Sequence, residues 1–250
     1  MKSKVYFTRE ITPEKVVELY HALGVQLPGK VAVKVHSGEK GNQNFLRPEF
    51  WRPMVEEVRG TVVECNTAYG DATAGVRDHT EAHRKLLEEH GWTKYFDVDL
   101  MDAEGPDVVW PIPNGKILKE NHLGKNIVNY DSMLVLAHFK GHPMGGYGGA
   151  LKQLAIGCAS ARGKALIHSA GKTDDRFKTW QQHASAVEFP EAMADAASSV
   201  VEHFRGKLAC INVMKNLSVD CDCCAVAEDP CMKDIGILAS LDPVAIDQAC

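Results

Sequence analysis

Two spacings of apolar residues alternate along this chain. Ser132 to His138 (SMLVLAH) is a short continuous apolar run, the pattern of a strand buried on both faces. Leu208 to Met214 has the same character. Lys30–His36 and Thr61–Cys65 are shorter and rich in β-branched residues, which favour strands. Lys4–Phe7, Val98–Met101, Val108–Ile112 and Ile235–Ser240 complete the strand candidates, and Ile167-His168-Ser169 reads as one more segment running into a loop, Gly171–Asp175. Between them the apolar residues recur at steps of three and four, as in Met193, Ala197, Val200 and Phe204, and this predicts amphipathic helices. Thr12 is placed as an N-cap, Pro13 and Glu14 suit a first turn, and Gly24 suits a stop. Further helices are expected over Pro48–Val58, Thr80–His90 (ended by Gly91), Ala150–Ala161 and Pro190–Phe204, and another opens at Asp242-Pro243.

Strands alternating with helices over short connections predict an α/β fold, a mainly parallel sheet with helices on both faces. One such domain over 1–250 is expected. Any division into two sub-lobes falls near 113–130, just past the turn Pro111-Ile112-Pro113-Asn114-Gly115. The final helix is cut short at Cys250, so the C-terminal end reads as truncated. The 250 residues are 45% hydrophobic and 24% charged, enough apolar material for a real core. A net charge of −5 argues against nucleic acid or an anionic membrane surface as partner. The start, MKSKVYF, has no apolar signal core, and no run of about 18 apolar residues predicts a membrane span, so a cytoplasmic location is expected.

Cysteine usage adds chemistry. Eight cysteines are many for such a chain, and Cys221, Cys223, Cys224, Cys231 and Cys250 crowd its end in the spacing C-x-C-C-x6-C-x18-C. Thiolates are soft donors suited to zinc or an iron–sulfur cluster. The spacing matches neither the ferredoxin run nor paired zinc-ribbon cysteines, so it does not fix which. Cys221, Cys223, Cys224 and Cys231 are the expected metal ligands. Reduced thiols lining a turn, or a redox disulfide, remain alternatives, and Asp220, Asp222 and Glu228 would suit a harder ion.

A second constellation follows the Ser132–His138 strand. His138, Lys140 and His142 precede Gly145, Gly146, Gly148 and Gly149. In a parallel sheet, ligands bind beyond the C-terminal ends of the strands. Glycines admit a ligand to the backbone, and the next helix N-terminus offers N–H groups to an anion. This is neither a dinucleotide fingerprint nor a phosphate loop. His138, Lys140, His142 and His168 are the expected acid–base residues. Lys34 and Lys172, with the glycine run, are the expected anion-binding residues. Polar residues after other strand candidates (Lys34, His36 and Glu39; Glu64, Asn66 and Tyr69; His168, Lys172, Asp174 and Asp175) would meet on the same rim if the strands are parallel. His79 and His83 lie four apart, but without the H-E-x-x-H motif they read as a surface helix start capped by Asp78 or Thr80.

The segments HFKGHPMGGYGGALKQLAIGCASARGKALIHSAGK (138–172), VDCDCC (219–224) and DIGILASLDPVAIDQAC (234–250) are similar to a bacterial and archaeal family of uncharacterised iron–sulfur center proteins, a domain of unknown function. KVYFTREITPEKVVELYHALGV and VECNTAYG extend the likeness over nearly the whole chain. Many members carry a ferredoxin-like insert that this chain lacks. The resemblance implies a metal or iron–sulfur centre and singles out Cys221 and Cys223, which stand in the family's DCDC setting. The leading expectation is a redox protein or metalloenzyme with a small-molecule substrate and a redox partner protein. The alternative is a non-redox protein or enzyme for a small anion, held by Lys34, Lys140 and Lys172, with structural or zinc-bound cysteines.

Overall fold

The computed structural model describes residues 2–70 and 75–250, so residues 71–74 of the expected loop Asn66–Asp78 lie outside it. Seven strands form one sheet in the order β1-β11-β10-β7-β2-β3-β4. They are β1 (Val5–Thr8), β2 (Val31–Lys34), β3 (Thr61–Glu64), β4 (Val98–Leu100), β7 (Ser132–His138), β10 (Leu208–Met214) and β11 (Gly236–Ser240). The five strands β10, β7, β2, β3 and β4 run parallel, and β11 and β1 close one edge antiparallel. The fold is therefore α/β with a mainly parallel sheet, as the sequence predicts.

Alternation along the central strands sends successive side chains to opposite faces. Val33, Leu134, Leu136 and Ile211 face one core, shared with Val16 and Leu19 of α1 (Pro13–Ala22), Trp51 and Met54 of α2 (Pro48–Val58) and Leu87 of α3 (Thr80–Glu89). Ala32, Met133, Val135 and Cys210 face the other core, with Ile167 of α5 (Ala161–His168), Phe189 and Val200 of α6 (Glu188–His203) and Ile246 of α7 (Pro243–Ala249). Thr12 caps α1 through the Lys15 N–H, and Gly24 follows with φ +67°, a conformation glycine adopts cheaply. Among the described residues no helix is long and apolar enough to cross a membrane.

Several elements depart from the sequence reading. The helix expected over Ala150–Ala161 is broken into α4 (Ala150–Lys152), a π-helical stretch Gln153–Gly157 and α5, capped by Ser160. His168 ends α5 rather than a strand. Neither Asp78 nor Thr80 caps α3. Asp78 pairs with Arg176 at 3.2 Å, and the Thr80 hydroxyl accepts from Asn66 at 2.9 Å. His83 is buried, not on a surface, because it shares the inward face of α3 with Leu87. β5 (Val108–Pro111) matches the expected strand Val108–Ile112, but its partner β6 (Glu120–Leu123) and the ribbon of β8 (Lys140–His142) with β9 (Gly146–Gly148), inside the expected glycine loop, have no clear apolar signature.

Candidate active site

The C-terminal ends of β2, β3 and β7 open into one buried cavity, the rim expected of a parallel sheet. Its inner chamber leaves about 60 Å³, room for a few waters or one small polar group. Lys34, Arg77, Lys140, Lys152 and Lys164 line it, and Glu64 is the carboxylate in that lining. Burying charges is costly unless they are paired, so most of these are. Lys34 Nζ lies 2.6 Å from Glu64, Arg77 Nε 2.9 Å from Glu39, and Lys140 Nζ 2.7 Å from Asp222. Lys152 and Lys164 have no carboxylate within 4.0 Å among the described residues. Arg77 is 2% exposed, and its Nη2 has no hydrogen-bond partner among the described residues.

These pairings polarise the site. Burial opposes the Glu64 charge, but Lys34 and Arg77 hold its pKa down to about 2. Asp222 is likewise held well below the carboxylate range by His138 and Lys140, against the effect of burial. Burial lowers the Lys164 pKa. Burial also opposes the charge on Lys152, but Cys221 and Cys223 raise its pKa above the lysine value.

The thiols sit on the loop between β10 and β11. Close approach of β8 fixes this loop: the Gly141 N–H donates to Ser218 O at 2.9 Å, and a Cβ on Gly141 would lie 2.2 Å from Val219 O. The donor atoms of His142, Cys221 and Cys223 all lie within 4.8 Å of one another, so this group could hold a metal ion. Lys152 Nζ is 3.2 Å from Cys221 Sγ. The hydrogen bond with Cys223, then burial, raise the Cys221 pKa well above its ordinary value. Of the other expected ligands, Cys224 lies outside this group but lines the outer chamber, and the exposed Cys231 approaches only Leu217 O.

The histidines fall into three roles. His142 Nδ1 accepts the N–H groups of Met144 (3.3 Å) and Gly145 (2.9 Å), which leaves the proton of the neutral ring on Nε2. His168 is the reverse: Nδ1–H donates to Lys164 O at 2.7 Å, which leaves Nε2 with a free lone pair. Burial pushes their pKa values down to about 2 and about 4, so both rings are neutral. His138 does not line the cavity. Its nitrogens donate to Asp222 (2.9 Å) and to Lys215 O (2.5 Å), which ties it into the scaffold.

The expected anion-binding residues divide. Lys34, Gly148 and Gly149 line the chamber. Lys172 does not; it is on the surface, 3.3 Å from Glu188. Gly145 serves through its N–H to His142, and Gly146 turns the β8–β9 ribbon with φ +75°. The N-terminus of α4 offers nothing to a ligand, because the Asp247 carboxylate already accepts from Ala150 N (2.8 Å) and Leu151 N (2.9 Å). Asp174 and Asp175 are on the surface, paired with Arg162 and Lys178. Arg77, Lys152, Lys164 and Trp180 escaped the sequence reading. A signal existed for the two lysines: each stands alone in an otherwise apolar stretch, ALKQLAIG and GKALI.

The sheet thus carries a polar cavity beyond the C-terminal ends of its central parallel strands, the place where ligands bind in open α/β sheets. The family described as "Domain of unknown function (DUF362)" matches residues 31–250, and this chain belongs to that family. No curated protein matches its sequence. Among solved structures, a protein from Thermotoga maritima is similar with TM-score 0.54 and 12% identity, over 98% of this chain and 59% of that one. The lactate racemase apoprotein from Thermoanaerobacterium thermosaccharolyticum is similar with TM-score 0.48 and 13% identity, over 83% of this chain and 50% of that one. The chain thus spans between half and three fifths of the length of these structures.

Proposed function

We propose that this chain is an enzyme that binds a small anion, a carboxylate or a phosphate, in the inner chamber and works on it beside His142, Cys221 and Cys223. The observation that carries this is the Nη2 of buried Arg77, unpartnered among the described residues, in a chamber that those residues line with five cationic side chains and one carboxylate. An anion there would complete the guanidinium and balance Lys152 and Lys164. His168 Nε2 offers a lone pair to a ligand proton and His142 Nε2–H a hydrogen bond to a ligand oxygen, so the two neutral rings supply an acceptor and a donor.

The donor set of two thiols and one imidazole fits zinc with a fourth position open, and a bound zinc would supply Lewis acidity there. It does not supply the four thiolates of a common iron–sulfur cluster. Ligation through His142 Nε2 requires its proton to move to Nδ1, at the expense of the Met144 and Gly145 hydrogen bonds.

Thermal denaturation with phosphate and with acetate tests the anion. Either should raise Tm progressively with concentration, and Lys152→Met should reduce the rise. A wild-type Tm that no such anion moves would overturn the reading. Elemental analysis of protein purified without oxygen tests the metal: zinc supports the Cys–His site, whereas iron with stoichiometric sulfide would favour a redox centre instead.

A further inference from the structure

The inner chamber is small, but it does not end the cavity. An outer chamber of about 480 Å³ adjoins it, and Tyr69, His142, His168 and Cys223 are walls of both. Small-molecule sites usually span about 300–1,000 Å³, so the outer space suits the body of a ligand whose charged end reaches the inner one. Its character is opposite. Trp180, Met144, Pro143 and Val226 line it, and among the described residues no lysine, arginine, aspartate or glutamate does. Trp180 is 46% exposed and Val226 86% exposed, apolar surface that a folded chain ordinarily covers. The indole is nonetheless held in place. It makes angled contacts with Tyr69 (centroids 5.8 Å, 63°) and with His168 (5.7 Å, 64°). His168 also meets Phe189 at 5.0 Å, and Phe189 stacks on His142 at 6.0 Å. A chain of aromatic contacts therefore runs from the exposed indole through His168 and the buried Phe189 to His142.

We propose that the ligand is an aromatic acid whose anionic head enters the inner chamber and whose planar ring packs on Trp180 and Tyr69 in the outer one. This rests on the anion site proposed above and adds the ring. An aromatic ring matches this wall because offset or edge contacts between rings are favourable beyond area burial. Charge complementarity fixes the direction of entry: the head meets Lys140, Lys152 and Arg77, and the ring stays where no lysine, arginine, aspartate or glutamate among the described residues lines the wall.

Calorimetric titration with acetate, benzoate, phenylacetate, 3-phenylpropionate, phenyl phosphate and the neutral 3-phenylpropanol tests it. At least one aryl acid should bind tenfold or more tighter than acetate, and 3-phenylpropanol should bind much more weakly than that acid. Whether the best ligand is a carboxylate or phenyl phosphate decides which head the site takes. Trp180→Ala should remove most of the gain from the ring, weakening the aryl acids far more than acetate, because the indole lines the outer chamber and not the inner one. Lys152→Met should weaken every acid. Equal binding of acetate and all aryl acids, an unchanged ratio in Trp180→Ala, or an alcohol that binds as tightly as its acid would overturn the aromatic inference and leave the anion site standing. Failure of every anion, phosphate included, would overturn both.

Discussion

Lys34 is a lysine without exposure, and its charge is tolerable only because Glu64 lies 2.6 Å away. Removing one member of a buried pair leaves the other charge stranded, at a cost of about 3–5 kcal/mol. Lys34→Met should therefore lower stability in urea unfolding by about 3 kcal/mol or more, and adding Glu64→Gln should recover part of that loss. An additive double variant would show that the two charges do not support each other. The buried histidines set a pH dependence. Burial pushes His83 down to about 3 and His168 to about 4, and burial with neighbouring cations pushes His36 well below 6.5. Each is neutral when folded and binds a proton when unfolded below pH 6.5, so the unfolded chain is favoured as pH falls. Stability should decline between pH 6.5 and about 4 by up to about 1.4 kcal/mol per pH unit per histidine. Urea midpoints at pH 7, 6 and 5 measure this, and a flat series would contradict it.

At the scale of elements, the π-helical stretch brings backbone against a charge. A Cβ on Gly157 would sit 2.5 Å from Lys34 Cε and 2.8 Å from Gln153 Oε1. Gly157→Ala should displace the Lys34 head and reduce the Tm rise produced by phosphate, with little change in helix content by circular dichroism. This irregularity was not legible in the sequence. The spacing of Ala150, Leu151, Leu154 and Ala155 reads as an ordinary helix, and the close approach of Gly157 to Lys34 on β2 is a tertiary contact that spacing does not carry. The seven-residue strands were legible because burial on both faces leaves mostly apolar side chains in β7 and β10, with Ser132, His138 and Asn212 the polar members. The β8–β9 ribbon was not, because Gly141, Gly146 and Gly148 carry no side chain to reveal alternation. The thiols, His142 and Lys140 announced themselves by type and crowding. Arg77 did not: its partners Glu39 and Glu64 lie far away in sequence, and only the fold brings them near.

The whole molecule carries a net charge of −5, yet the inner chamber at the sheet's C-terminal edge is basic. Focusing by low-dielectric walls lets such a site attract anions that the surface as a whole would repel. Added salt screens that attraction, so affinity for phosphate should fall as sodium chloride rises, a trend calorimetry reads directly. Rigidity should be distributed from the sheet outward. Every residue of Ser132–His138 and Leu208–Met214 is buried, and the two strands pair along six positions. Their amides should be the slowest to exchange with deuterium, whereas the loop around Cys224 and Val226 should exchange early. Equal rates in the two regions would show that the thiol loop belongs to the rigid frame.

The bond between Lys34 and Glu64 also acts as a proofreading step during assembly. β2 and β3 are parallel and only four residues each, with Lys34 beside Val63, so apolar side chains alone discriminate weakly between neighbouring alignments. A slip of one residue would turn the side chains of β3 over and carry Glu64 away from its partner, to the opposite face. Two buried charges would then be left alone, a penalty that no apolar strand pair could impose. The charges that furnish the cavity thus also reject misaligned chains.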